Sequence, residues 1–285
     1  MISPNTENPT LIFLKQLFHR LLPKHALTRF AGLLANVTVP WIKNYLIKNF
    51  IKDYKVDMTE ALESDPKHYA SFNDFFIRRL KPGARVLEKA ELISPVDGYV
   101  SAFGDINQGQ LLQAKGVEYT VEGLLASKET QAFHQGSFAT LYLSPKDYHR
   151  VHMPLAGTLK KLTFVPGKLH SVQPFTTKHI PDLFAKNERL IFEFETSHGP
   201  MVVVMVGAVV VGKIGTVWQG DLPRLRCIKH FDISDFSNTE VKQGDELGYF
   251  KLGSTAIVLF PKQVQWSKNI TTEAPIQLGH ALGHF

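Results

Sequence analysis

The chain has 285 residues, 44% of them hydrophobic, with 32 Lys and Arg against 26 Asp and Glu and a pI near 9.2. Such a length buries a substantial core as one large domain or two smaller ones, and the composition excludes a disordered chain. Residues 1–55 hold eight Lys and Arg against two acids, which is the whole surplus of +6, so the remaining residues carry 24 of each sign and no groove for nucleic acid is expected in the body.

The lone Cys227 rules out an internal disulfide and fits a reducing compartment. Residues 1–10 are polar and show neither the basic start nor the apolar core of a secretory signal. The longest stretches free of Lys, Arg, His, Asp and Glu, 30–42 and 199–212, are shorter than the roughly 18 to 20 residues that cross a bilayer, so no spanning helix is expected.

In LIFLKQLFHRLLPKH (11–25), Leu14, Leu17, Phe18, Leu21 and Leu22 fall on one helical face and Lys15, Gln16, His19 and Arg20 on the other, with Pro23 ending the helix. A second helix, WIKNYLIKNFIKDYK (41–55), groups Trp41, Ile42, Tyr45, Leu46 and Phe50 among lysines. Basic, aromatic-bearing helices of this kind either lie in an anionic bilayer surface, with about 1 kcal/mol of attraction per nearby basic residue, or pack on the protein's own body; both readings stand. Ser71 and Asp74, spaced as in a capping box, predict a third helix over SFNDFFIRRLK, ending before Pro82-Gly83.

From Ile93 onward, short runs rich in Val, Ile, Phe and Tyr alternate with Gly, Pro and Asp turn signals. The expected fold is therefore α+β, with N-terminal amphipathic helices followed by a mainly antiparallel β core. MVVVMVGAVVVGKIG (201–215) predicts strands buried on both faces. VKQGDELGYF (241–250) resembles the turn and strand of lipoyl- or biotinyl-like modules, so the core is expected to include such a barrel-sandwich element.

Candidate chemistry begins in LSPKDYHRVHMPLAG (143–157), where Asp147, His149 and His152 crowd together. Two histidines three apart can share a metal on a helix, but Pro145 and Pro154 disfavour a helix and no third ligand motif follows, so no metal is expected. Each histidine is then a hydrogen-bonded structural residue or a general acid or base. Asp97-Gly98 in ISPVDGYVSAFGD is a turn signal that also offers an acid to orient an imidazole.

In DELGYFKLGSTAIVLFPKQ (245–263), Gly253-Ser254-Thr255 breaks a run that otherwise reads as one strand, and the hydrophobic residues on both sides predict that Ser254 lies inside the fold. It is not the Gly-x-Ser-x-Gly elbow of hydrolases, because Ala256 and Ile257 follow where the second glycine belongs.

FKLGSTAIVLF (250–260) resembles the processing site of the phosphatidylserine decarboxylases. The resemblance continues through YKVDM (54–58), FNDFFIRRLKPGAR (72–85), SPVDG (94–98), LQAKGVEYTVEGLL (112–125), YLSPKDYHRVHMP (142–154), FVPGKLHSV (164–172) and VGAVVVGKIGTVW (206–218), covering the chain from about Lys55. It implies a proenzyme cut between Gly253 and Ser254 into a large chain (1–253) and a small chain (254–285). Ser254 would be both the nucleophile and the precursor of a covalent pyruvoyl cofactor. Asp97 and His152 would activate the Ser254 hydroxyl, and His149 would be the proton donor in decarboxylation.

The implied reaction converts phosphatidylserine to phosphatidylethanolamine through a Schiff base on the pyruvoyl group, in phospholipid biosynthesis. The resemblance also implies a dimer of cleaved pairs, peripheral on the cytoplasmic face of the cell membrane. Residues 1–55 would be the membrane-association region and 56–285 the catalytic domain. Ser171 and the Pro166-Gly167 turn are candidate headgroup contacts. The competing readings are a non-catalytic lipoyl- or biotinyl-like carrier, weakened because no lysine sits in a Met-Lys-Met type of hairpin, and a serine hydrolase, which would keep one intact chain.

Overall fold

The computed structural model describes residues 31–114, 116–209, 213–223, 225–251 and 254–285. The helix expected over 11–22 and the residue Gly253 lie outside the described residues. Ten strands carry the architecture: β1 (Gly98–Asp105), β2 (Ser137–Leu143), β3 (Arg150–His152), β4 (Gly157–Val165), β5 (Arg189–Thr196), β6 (Gly199–Gly207), β7 (Lys213–Thr216), β8 (Gly220–Asp221), β9 (Glu246–Lys251) and β10 (Ser254–Phe260). A nine-stranded sheet contains the order β4-β5-β6-β10-β2-β1, and a four-stranded sheet has the order β8-β7-β9-β3. The pairings within both sheets are antiparallel. Neither sheet closes into a barrel among the described residues, and the lipoyl-like element remains an expectation.

The run 245–263 is two strands rather than one broken strand. β9 belongs to the small sheet and β10 to the large one, so the chain has changed sheets between Lys251 and Ser254. All seven residues of β10 are buried. Ala256, Val258 and Phe260 join a core shared with the small sheet through Val151, Ile214, Leu247 and Phe250. Ile257 and Leu259 face a second core with Val202, Val204, Leu124 and Phe184. Period-two alternation between two buried faces explains the continuous apolar run, each fully buried aliphatic or aromatic side chain contributing about 1.5 to 3 kcal/mol. The same holds for β6, buried without interruption from Met201 to Gly207.

Helix α1 (Pro40–Tyr54) starts with proline at its first position and ends at Lys55 in the left-handed conformation. It fully buries Lys43 and Ile47, half-buries Ile42, Leu46 and Phe50 of the face picked out from sequence, and leaves Trp41 and Tyr45 exposed. Lys43 is drawn inward because its ammonium donates to the Lys67 carbonyl at 2.8 Å. Phe50 of α1 packs edge-on against Phe72, Phe75 and Phe76. Those aromatics come from α2 (Phe72–Phe76), where the Ser71 hydroxyl accepts from the Asp74 amide as the capping pattern predicts. The helix stops at Ile77 instead of reaching Lys81, since the Ile77 carbonyl is taken by the Arg150 guanidinium at 2.7 and 2.9 Å.

Three short helices cover the second core or flank it: α3 (Val121–Leu125), α4 (Pro174–His179) and α5 (Leu183–Lys186). Arg189, on β5, ties two of them to the sheet. Its guanidinium donates to the carbonyls of Gly123, Leu124, Ala185 and Asn187 at 2.6 to 3.0 Å. Burial lowers its pKa to about 10, so it remains cationic at neutral pH, where it complements the negative ends of both helices. Arg189→Met should therefore lower the urea midpoint by the equivalent of about 3 kcal/mol with an unchanged slope, the cost of several carbonyls left unpaired.

Candidate active site

β2 leads into a turn in which the Ser144 amide and hydroxyl both donate to Asp147 Oδ2 at 2.7 Å. The Asp147 side chain is thereby spent on the turn, with burial raising its pKa against those two hydrogen bonds. Its carbonyl faces His149 Nδ1 at 2.8 Å. A carbonyl only accepts, so Nδ1 carries the proton and Nε2 presents a bare lone pair. That Nε2 is buried without a partner, and the Phe76 ring packs on the imidazole at 4.1 Å between centres, tilted by 46°. Burial, assisted by the nearby Arg78 cation, pushes the His149 pKa down to about 3 against the carbonyl's opposing pull. His149 is a neutral imidazole at physiological pH.

His152, on β3, has the same tautomer for a related reason. Its Nδ1 donates to the Gly244 carbonyl at 2.8 Å, and its Nε2 accepts from the Tyr148 hydroxyl at 3.3 Å. Gly244 sits at φ +85° in the VKQGD turn, a conformation that favours glycine, and this turn is what presents the carbonyl to the imidazole. Burial lowers the His152 pKa, opposed by the Gly244 hydrogen bond and the charge of Glu246.

Asp97 lies in the bend before β1 and is held by Arg85, with 2.9 Å from Nε to Oδ1 and 2.6 Å from Nη2 to Oδ2. The Leu278 amide donates to the same carboxylate. A 2.8 Å backbone hydrogen bond from His152 N to Pro95 O ties this bend to the histidine strand.

Ser254 opens β10 with its backbone between Gly207 of β6 and Leu143 of β2. Its hydroxyl is buried and has no hydrogen-bond partner. The residue lines a cleft of about 270 Å³ with Phe50 and Tyr54 of α1, Phe76 of α2, Tyr142 and Ser171. A second, polar cleft of about 300 Å³ is lined by Asp97, Asp147, Arg78, Arg85 and Tyr148.

The structure thus brings Ser254 and Ser171 to one cleft, with Phe76 shared between that cleft and His149, and places Asp97 at the other. No hydrogen bond joins Ser254, His152 and Asp97 to one another. Arg85, Tyr148 and Phe76 escaped assignment from sequence. Arg85 and Phe76 both stand in FNDFFIRRLKPGAR, but nothing local says that they will meet Asp97 and His149.

With this geometry established, comparison with known proteins is informative. The family model described as phosphatidylserine decarboxylase matches residues 72–284, and a second model, described as PSD, matches residues 14–55. A phosphatidylserine decarboxylase proenzyme of Legionella pneumophila (strain Lens) is 54% identical over 271 residues, covering 93% of this chain and 96% of that protein. Proteins of the same name from Ectopseudomonas mendocina and Saccharophagus degradans are 48% and 46% identical, covering 93% and 92% of this chain and 95% and 94% of theirs. The chain belongs to the phosphatidylserine decarboxylase family.

The state of His149 is testable by pH. Unfolded, its imidazole titrates near 6.5, and folded near 3. Between those values the unfolded chain binds a proton that the folded one refuses, so stability is intact above pH 6.5 and falls with acidification, by about 1.4 kcal/mol per pH unit from this group. His149→Gln should make the loss of urea midpoint between pH 6.5 and 5 shallower than in the wild type; equal slopes would exclude a buried neutral imidazole.

Proposed function

We propose that this chain decarboxylates phosphatidylserine to phosphatidylethanolamine with a pyruvoyl group that it makes from its own Ser254. The observation that carries this reading is the buried, unpartnered Ser254 hydroxyl at the junction of two sheets. Such a hydroxyl has given up water without gaining a partner; Thr140 and Thr255 bear the same cost, but of the three it is Ser254 that lines the cleft. The proenzyme names of the relatives support a self-processing step.

In that step the Ser254 oxygen attacks the carbonyl carbon of Gly253 and the peptide nitrogen leaves as an amine, turning amide into ester. His152 takes the hydroxyl proton on its unprotonated Nε2. Asp97, engaged by Arg85, favours the protonated imidazole through space. Loss of the Ser254 α-proton then expels the 1–253 chain as a carboxylate, and water replaces the enamine nitrogen, releasing ammonia and leaving a ketone at residue 254. The local structure suits a group so formed, because hydrogen bonding to β2 and β6 holds the new chain end in place.

When present, the pyruvoyl group supplies a carbonyl that condenses with the substrate amine and accepts the electron pair left as carbon dioxide departs. The chain's own residues manage the protons. Burial by itself keeps His149 neutral; the anionic phosphate and carboxylate of a bound substrate would favour its protonated form, and the imidazolium would then give its proton to the carbon that has lost its carboxylate. Phe50, Phe76 and Val172 give the cleft an apolar wall for the substrate to cover, and Ser171 offers a hydroxyl to the headgroup.

We further assign residues 1–55 to membrane association and 56–285 to catalysis, with the protein peripheral on the cytoplasmic face of the membrane and, as the resemblance implies, a dimer of cleaved pairs. No helix among the described residues is long and apolar enough to cross a bilayer. On α1, Trp41, Tyr45, Lys48 and Lys52 are exposed at helical spacing while Phe50 and Tyr54 reach the Ser254 cleft, so a helix lying on an anionic surface would place its lipid beside the serine.

Intact mass should give one fragment ending at Gly253 and one beginning with a ketone at residue 254 that borohydride traps in the presence of amine; a single full-length species with full activity would sink the mechanism. Ser254→Ala should leave an uncleaved, inactive chain. His152→Ala and Asp97→Ala should slow cleavage, whereas His149→Ala should cleave yet decarboxylate at least about 100-fold more slowly. Trp41→Ala with Tyr45→Ala should weaken binding to phosphatidylserine vesicles while sparing turnover of a short-chain, water-soluble substrate; unchanged vesicle binding would dismiss α1 as a docking face.

A further inference from the structure

A polar row crosses the small sheet immediately before the self-cleaving bond. Asp221 of β8 lies opposite Gly215 of β7, Gly215 opposite Tyr249 of β9, and Tyr249 opposite Arg150 of β3. A Cβ at Gly215 would overlap the Tyr249 ring, so it is the missing side chain that lets the tyrosine lie across β7. The Tyr249 hydroxyl thereby reaches Asp221 Oδ1 at 2.9 Å, and the Arg150 guanidinium stands 5.4 Å from the ring centre. The other carboxylate oxygen, Oδ2, accepts from Lys251 Nζ at 2.6 Å.

Lys251 has a second reason to need that acid. Its cross-strand partner is Lys213, a like charge that would drive the strand end away. Asp221 lies between them, 3.6 Å from Lys213 Nζ. Burial opposes ionisation of Asp221, but the hydrogen bonds from Lys251 and Tyr249 and the charges of Lys251 and Lys213 outweigh it and hold the pKa below the usual value. The carboxylate is therefore charged wherever the protein is folded at neutral pH. One ionised group grips the last described residue of β9 and the tyrosine two places before it.

We infer that Asp221 is the positioning residue for self-cleavage: by holding Lys251 and Tyr249 it fixes the acyl side of the Gly253–Ser254 bond. This rests on the self-cleavage reading above. The nucleophile side is fixed independently, with Ser254 paired to Gly207 and Leu143 in the large sheet. Only Leu252 and Gly253 separate the two anchors. Intramolecular attack is fast when both partners are restrained near the reactive geometry, and a displacement of about 1 Å costs on the order of 100-fold. A frayed end at Lys251 would leave Ser254 in place and let its target drift.

Asp221→Asn retains an acceptor for Tyr249 and loses the negative charge that Lys251 meets, and Gly215→Ala displaces Tyr249 while leaving both charges. Each should slow the appearance of the two fragments by about tenfold or more in full-length protein. Lys251→Met should slow it similarly, and adding Asp221→Asn to Lys251→Met should bring little further loss, as expected for partners in one interaction. Two readouts separate positioning from general damage. The melting temperature of the uncleavable Ser254→Ala chain should be nearly the same with and without Asp221→Asn, and once processed, Asp221→Asn should decarboxylate with wild-type kcat per mole of ketone. Wild-type cleavage rates in Asp221→Asn and Gly215→Ala overturn the inference, as does slow cleavage accompanied by an equal fall in kcat per ketone. A wild-type chain that never splits is a different result, since it removes the self-cleavage reading itself.

Discussion

Everything in this fold depends on one strand buried in all directions. β10 is hydrogen-bonded along both edges and packed on both faces, so the two cores, the order of the large sheet and the seat of the small sheet all refer to it. A strand in that position has almost no conformational freedom, because any displacement opens two cores together. Its first residue is Ser254. The position proposed to react is therefore built on a strand buried on every side rather than on a surface loop, and the cleft that reaches it is lined chiefly by the aromatics of α1 and α2.

The two histidines show how backbone carbonyls decide side-chain chemistry. Asp147 O and Gly244 O each claim an Nδ1–H, which leaves both imidazoles with the lone pair on Nε2. Their burial then keeps them neutral. What differs is the far nitrogen: that of His152 is met by a tyrosine hydroxyl, whereas that of His149 meets nothing. Two residues three apart in one motif thus differ in hydrogen bonding through their surroundings alone.

Much of this was legible beforehand, for reasons that can be named. Turn signals and β-branched runs announced an antiparallel core, and the double-sided burial of β6 followed from MVVVMV because a strand with no polar face has no face to give to water. The Ser71 cap was readable because capping is local. The buried face of α1 was not, since Lys43 turns inward for a carbonyl that belongs to Lys67. The stretch from Glu246 to Phe260 read as a single strand with a flaw because periodicity carries no information about which sheet a strand joins. The candidate residues Asp97, His149, His152 and Ser254 are all named from motifs, but their partners are not: Arg85 reaches Asp97 across 12 positions, and Gly244 reaches His152 across 92. Such pairings are created by the fold and leave no local trace.

The burial of Ser254 in the central strand has a consequence for how such a catalyst ages. A coenzyme that binds from solution can be exchanged when it is damaged, and its supply can be raised or lowered by the cell. A reactive group spliced into the backbone of the innermost strand can be neither washed out nor replaced, so on the proposed reading each molecule carries one irreplaceable prosthetic group for its whole life. Loss of that ketone, for instance by reduction or amination, would retire the entire polypeptide, and only new synthesis could restore the activity.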